Sequence, residues 1–385
     1  MNRRIPQLFV LLVLVCQLRA TPRNLRGVLD SKKAFVGASI DWSSYDLQMP
    51  SSLVPALRAR LGYLPKVVTM FLSLPLSPGD LSDLSQIVPP LAAKNTVIIL
   101  TVEPHEGLDA VTDDAIDELV RVIVRYEQEE QASFVVRFGH EMNGDWYRWG
   151  QQPSAFKATF RRVADKVHAW TSEARVMFCP AIDARGYPFS SRLADLSDID
   201  RQAMDTNGNG QVDNEDDPYG PFWPGDEFVD LIGGSVYFWG VSWPWGENHV
   251  PPPTFFHDAL TERDFYYQYS ERKGIPMIVV ETAALYNTCD GANTPKCVAN
   301  AESGWLTESR ELAIKQAWWE QVFSQETADR FPYIKAVNLF VVSKPEQEVA
   351  GSTVEWGFGD KDSLKRAFRG HMRKISVRSW FVLKV

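Results

Sequence analysis

Apolar runs of seven to nine residues recur along the chain at intervals of about 25 to 50 residues, separated by stretches whose apolar positions fall three and four apart. The runs are Ala34 to Asp41, Lys66 to Leu74, Thr96 to Glu103, Phe134 to His140, Arg175 to Asp183, Val229 to Tyr237, Met277 to Ala284 and Ile334 to Val342. Most lack polar alternation, as expected of strands buried on both faces of a parallel sheet. Between them, Asp113 to Gln128 carries Ile116, Leu119, Val120, Ile123 and Val124 at helical spacing, and Pro153 to Trp170 starts on a proline suited to a first helical turn. Thr307 to Phe323 and Asp362 to His371 follow the same pattern. Eight such units are the number that closes a (β/α)8 TIM barrel, and that α/β fold is the one the pattern predicts.

The pattern fails in three places. Residues 1–20 open with Arg3 and Arg4, continue as an apolar run from Leu8 to Cys16 and reach a small residue at Ala20, which reads as a secretory signal peptide. Residues 21–33 then form an N-terminal linker to a catalytic domain spanning 34–371, and 372–385 is basic, then apolar, a last segment that the pattern does not place. Between the fifth and sixth strands, the connection is too long for one helix and contains a polar insertion, Asp205 to Tyr219. No stretch after the signal is continuously apolar enough to cross a membrane.

A net charge of −9 argues against nucleic acid and anionic membranes as partners and fits a soluble protein with a neutral ligand, and a monomer is the expectation. Thirteen tryptophans are many for 385 residues, and several fall in loops. Cys289 and Cys297 bracket a short polar loop and are expected to form a disulfide in the oxidising compartment that a signal peptide implies. Cys179, inside an apolar run, reads as a buried thiol.

Catalytic groups of such barrels project from the C-terminal ends of the strands, so polar residues that end apolar runs are the candidates. Asp41, Glu103, His105, Asp183 and Tyr237 qualify, and two places stand out. SFVVRFGHEMNGDWYRWG, Ser133 to Gly150, is an apolar strand that breaks at Gly139 into His140, Glu141, Asn143 and three aromatic residues. PMIVVETA places Glu281 as a lone charge in an apolar strand, tolerable only if paired or partly solvated in a site. Strands four and seven stand across the barrel mouth, where Glu141 and Glu281 can face each other as glycoside hydrolysis requires. A separation of about 5–5.5 Å would mark a retaining enzyme. Flat aromatic faces nearby suit stacking on a pyranose ring.

The segment VVRFGHEMNGDWYRWG resembles the strand-four signature of glycoside hydrolase family 26. PFWPGDEFVDLIGGSVYFW is similar to that family's approach to strand six, IPMIVVETA to its strand-seven nucleophile, and VEWGFGDKDSLKRAF to its closing tryptophan and last helix. The likeness runs in order from Ala34 to Arg369. It implies a retaining double displacement on a β-glycan, β-1,4-mannan first, with Glu141 as acid/base and Glu281 as nucleophile. Mixed-linkage β-glucan and β-1,3-xylan are the nearest rival substrates, and a non-catalytic carbohydrate-binding barrel is the rival function. Arg137 and Tyr237 would align Glu281, His140 would orient the acid/base region, Trp146 would stack on a sugar, and Trp239 and Trp356 would complete the binding surface. Catalysis would need no cofactor. Cys179 and Leu339-Phe340 stand where the family often has tryptophan, which bears on substrate rather than on the carboxylate pair.

DTNGNGQVDNED, Asp205 to Asp216, matches a twelve-position calcium loop, with Asp205, Asn207, Asn209, the Gln211 carbonyl, Asp213 and Asp216 as ligands, Gly210 at the turn, and Asp where glutamate is usual at the end. One structural Ca²⁺ is the expectation. The other reading is a solvated acidic turn. VSWPWGENHVPPP, Val241 to Pro253, either walls the cleft or packs over the rim, whereas Trp305, Trp318 and Trp319 fit helical core positions.

Overall fold

The computed structural model describes residues 23–171, 173–183, 185–189, 193–290, 294–359, 361–376 and 381–382. The expected signal segment, 1–20, lies outside them. Strands β1 (Ala34–Ile40), β2 (Val67–Ser73), β3 (Val97–Glu103), β4 (Ser133–Phe138), β5 (Arg175–Phe178), β6 (Leu231–Phe238), β7 (Met277–Ala284) and β8 (Ile334–Val341) pair in parallel in chain order. Strand β8 returns to β1, with Phe35 opposite Ala336 and Ile40 opposite Val341, so the sheet closes into a (β/α)8 barrel.

The surrounding helices are α1 (Arg23–Leu29), α2 (Pro50–Leu61), α3 (Pro78–Ala92), α4 (Asp113–Glu129), α5 (Pro153–Trp170), α6 (Asp198–Met204), α7 (Phe255–Thr261), α8 (Pro295–Glu302), α9 (Glu308–Val322), α10 (Gln325–Arg330) and α11 (Asp362–Ser376). Their starts follow capping chemistry. Ser77 accepts from the Asp80 amide while Asp80 accepts from the Ser77 amide, and Thr112 caps α4 ahead of Asp113 and Asp114. The apolar stripe Ile116, Leu119, Val120 and Ile123 buries α4 against the barrel.

One end departs from expectation, and the other takes a place the pattern left open. Where a linker was expected, RNLRGVL forms α1, and Leu25 and Val28 join Val67, Val97, Val135 and Leu231, filling the interior at the N-terminal end of the barrel. The C-terminal segment also finds a place. Strand β11 (Phe381–Val382) pairs in parallel with the first two residues of β1, and Phe381 is buried edge-on against Phe323 at 5.1 Å between ring centres. Strand β2 joins β1 only from Ala38 onward, which leaves this edge open for β11.

The long connection between β5 and β6 carries α6 and the 205–216 loop. After β8 the chain makes a small antiparallel pair, β9 (Ser343–Pro345) with β10 (Thr353–Glu355), that folds toward the mouth. Lys315 of α9 fastens it. Its buried ammonium donates to the carbonyls of Ala284 (2.8 Å), Glu355 (2.5 Å) and Trp356 (2.9 Å), and burial lowers its pKa to about 8.

Candidate active site

Side chains on a regular strand alternate between the barrel interior and the helix layer. In β7, Ile278 and Val280 belong to the interior cluster, while Met277 and Val279 pack under the helices. Strict alternation would turn Glu281 toward the helices. The register against β6 instead slips by one, from Gly234 opposite Val279 to Ser235 opposite Glu281, leaving Val280 as the extra residue of a bulge. The bulge turns Glu281 inward directly after Val280 and sends Thr282 outward, where its hydroxyl accepts from the Trp318 indole.

Inside, Glu281 meets Arg137 of β4. One guanidinium nitrogen donates to Glu281 Oε1 at 2.5 Å and to Thr101 Oγ1 at 3.2 Å, the second donates to Ser235 Oγ at 3.0 Å, and Nε donates to Cys179 Sγ at 3.0 Å. The Tyr237 hydroxyl donates to the other oxygen of Glu281 at 2.6 Å. Burial, followed by the charge of Glu281, keeps the Tyr237 phenol protonated far above its usual range, so it remains a donor. Both carboxylate oxygens are thereby fixed.

Glu141 reaches the same place from the loop after β4. Gly139 and Glu141 both have positive φ (52° each), and the Glu141 amide donates to Cys179 O at 2.8 Å. A non-glycine residue in that conformation carries strain that the surrounding contacts must hold. Asn143 supplies much of the hold, its side chain exchanging two 2.9 Å bonds with the backbone of Ala181. Trp146 folds back over Gly144, where a β-carbon would lie 2.4 Å from the indole ring, and donates to Glu141 Oε2 at 2.8 Å. Ser235 stands opposite Glu281 in register, and its hydroxyl also favours the ionised form of Glu141. Burial raises the Glu141 pKa first, and the charge of Glu281 raises it further. Arg137, Ser235 and Trp146 oppose the shift without cancelling it. The site therefore holds one carboxyl biased toward its protonated form beside another gripped by a guanidinium and a phenol. That division suits proton donation by Glu141 and nucleophilic attack by Glu281.

Arg137 (0% exposed) and His140 (1%) are buried, as alignment of the carboxylates from beneath allows, whereas Trp356, expected on the binding surface, is also buried at 2%. Arg137 spends its donors on Glu281 and its neighbours. The His140 ring contacts the Tyr147 hydroxyl at 3.2 Å, and burial next to Arg137 holds its pKa well below the usual value, so it is neutral. It braces the loop from beneath, with Tyr147 and Trp149 stacked at 4.4 Å beside it. Trp356 donates to Glu346 Oε1 at 2.7 Å and backs Tyr237 and Trp239. Trp146, 44% exposed, keeps an open face, and Trp239 is half-buried.

Other strand-end candidates act locally. Asp41 caps the turn at Ser43, and Asp183 pairs with Arg185 at 2.6 Å. Glu103, 3.4 Å from His105, is pushed up to about 7, chiefly by burial. Phe71, 37% exposed beside His140, and Phe189, edge-on to Trp146, line the mouth without having been singled out from the sequence. A single aromatic residue at the end of a strand carries no distinguishing spacing.

The disulfide Cys289–Cys297 is formed, and Cys179 is buried and free. The 205–216 loop departs from the calcium pattern at its last position. Asp216 is fully buried, and its Oδ1 already accepts from Thr206 N, Thr206 Oγ1 and Asn207 N while Oδ2 accepts from Asp213 N, so it cannot close the loop as a bidentate ligand. Asp205, Asn207, Asn209 and Asp213 each accept a backbone amide two to five residues on. Among the described residues, no three His, Cys, Asp or Glu side chains gather closely enough to hold a metal.

No protein-family model and no curated sequence matches the chain. Solved structures do. The catalytic domain of a GH26 endo-β-1,4-mannanase from Bacillus sp. JAMB-750 superposes with a TM-score of 0.56 at 14% identity, covering 94% of this chain and 91% of that one. An endo-β-1,4-mannanase double mutant from Cellulomonas fimi gives 0.54 at 12% identity over 94% and 75% of the two chains. A GH26 β-mannanase from Bacteroides ovatus gives 0.50 at 13% over 94% and 93%. At these identities the likeness establishes the barrel fold.

Proposed function

We propose that the protein is a retaining endo-β-glycanase of the family 26 type, acting first on β-1,4-mannan. One observation carries the reading: two carboxylates at the barrel mouth, Glu281 gripped at both oxygens and Glu141 biased toward its protonated form. Glu141 would protonate the glycosidic oxygen as Glu281 attacks the anomeric carbon. The bond to the leaving group breaks, a glycosyl ester forms on Glu281, and the first product departs with the proton from Glu141. Forming the ester removes the Glu281 charge, so the pKa of Glu141 falls. Glu141 then accepts a proton from the water that hydrolyses the ester. The mannanases named in the superposed structures share this architecture, which makes mannan the first substrate to try.

The deciding experiment incubates purified protein with galactomannan, barley β-glucan, β-1,3-xylan and laminarin and counts reducing ends. Activity is expected on galactomannan, falling by about 10²–10⁴-fold in Glu141→Ala and disappearing in Glu281→Ala. Proton NMR of the first product should show the anomeric configuration retained. Wild-type protein that binds a polymer but cleaves none would make this a binding barrel.

A secreted monomer is part of the same proposal. The disulfide suits an oxidising compartment, and no described helix is long and apolar enough to cross a membrane. For the 205–216 loop we propose a weak structural Ca²⁺ held by Asp205, Asn207, Asn209, the Gln211 carbonyl and Asp213. Each of the four side chains retains acceptor capacity beyond its amide, and Asp216 can offer at most Oδ2. Chelation should lower the melting temperature, and added Ca²⁺ should restore it. An unchanged melting curve would leave a self-capped acidic turn.

A further inference from the structure

Beyond the carboxylates, the rim carries an aromatic surface that catalysis does not use. From Tyr237, whose hydroxyl grips Glu281, Trp239 stands at 6.4 Å between ring centres, and Trp245 packs in the same cluster. Trp243 follows, perpendicular to Trp245 at 5.9 Å. The series runs outward from the site on one loop, 239–254, and its last ring is 69% exposed, with Val241 beside it 60% exposed. Exposed indoles on a surface loop cost solubility unless something covers them.

The loop is also unusually well fixed. Gly246 O accepts from both the Asn287 and Asn300 side chains at 2.9 Å. Asn248 bonds the Asn287 backbone in both directions, at 2.7 and 3.0 Å, and its amide donates to Asn300 Oδ1 at 2.8 Å. All three asparagines are buried, at 0%, 1% and 0% exposure for Asn248, Asn287 and Asn300. Asn287 and Asn300 flank the segment closed by Cys289–Cys297, so the disulfide loop clamps the base of the tryptophan arm. A hydrophobic surface held this firmly in line with a site is pre-organised for a ligand, because little side-chain or loop entropy remains to be lost on binding.

We infer that Trp243 and Trp245 form a distal sugar-binding arm, which takes a neutral β-linked hexose unit of the same polysaccharide chain that crosses the carboxylates. The inference rests on the glycanase reading and extends it to substrate length. Continuity with Tyr237 and Trp239 selects a linear occupant that also reaches Glu281. A flat indole suits the C–H face of a pyranose, and the net charge of −9 disfavours an anionic chain.

The test separates binding from cleavage. Glu281→Ala and the double variant Glu281→Ala/Trp243→Ala are run on native gels cast with galactomannan or barley β-glucan, and sedimentation is measured in parallel. The double variant is expected to lose about three- to tenfold in affinity for the retarding glycan, and Trp243→Phe in the same background should recover most of it. In active protein, Trp243→Ala should raise the half-saturating galactomannan concentration by a similar factor. Equal retardation of the two variants overturns the arm, as does a dimer that Trp243→Ala dissociates without any change in retardation. If the wild type cleaves none of the polymers, the glycanase reading fails, and the gels still decide the arm.

Discussion

Arg137 is an arginine with no exposed surface, and its donors meet acceptors from three strands and the residue just past β5: Thr101, Ser235, Glu281 and Cys179. An isolated buried charge would be several kcal/mol unfavourable, so the guanidinium and Glu281 each make the other possible. Glu141 has no such partner. Arg137, already committed to Glu281, with the Ser235 hydroxyl and the Trp146 indole, favours its ionised form, and burial together with the charge of Glu281 prevails. The proposed glycanase activity therefore requires a Glu141 proton that is present below its raised pKa and lost as pH rises through it. Trp146→Phe removes a donor that stabilises the carboxylate, so the pKa should rise further. The alkaline limb of kcat/KM should then move to higher pH, and a limb that moves to lower pH would contradict the assigned role. Glu281 was legible as a lone charge in an apolar run, but the bulge that turns it inward was not, because the extra residue, Val280, looks like any other apolar strand position. Trp356 misled for a related reason. Polar or aromatic identity marks a residue as able to touch a sugar, while burial is decided by the elements packed over it.

At the scale of elements, the strands were readable because burial on both faces makes them continuously apolar, and β7 begins and ends where the pattern did. Helix α5 likewise matches its expected bounds, fixed by Pro153 at one end and the last apolar position at the other. Helix α1 was not readable, because seven residues with a glycine and two arginines offer only Leu25, Val28 and Leu29 as a signal. The Leu25 and Val28 side chains nevertheless fill the lower interior of the barrel, so Leu25→Ala should destabilise the protein by about 2–4 kcal/mol, measured by urea unfolding. A loss under about 0.5 kcal/mol, the level of a surface substitution, would mean the helix is dispensable. The asparagine clamp was equally invisible, since Asn248, Asn287 and Asn300 lie far apart in sequence and share no spacing. Reducing Cys289–Cys297 should lower stability by about 2–3 kcal/mol for so short a loop. The same urea titration with and without reductant measures it, and coincident curves would show that the asparagines suffice alone.

In the whole molecule, chemistry and closure are divided between the two ends of the barrel. The C-terminal ends of the strands carry the carboxylates, the aromatic rim and the hairpin held by Lys315. The opposite end carries α1, under the interior cluster, and β11, beside the first residues of β1. Both described extremities of the chain thus emerge from the face turned away from Glu141 and Glu281. A tether attached near either one would hold the barrel with its mouth pointing away from the support. Protein coupled to a bead through an added terminal tag should therefore digest an insoluble glycan almost as well as free protein does. Coupling through a cysteine introduced at Ser242, beside the tryptophan arm, should press the cleft against the bead and silence it.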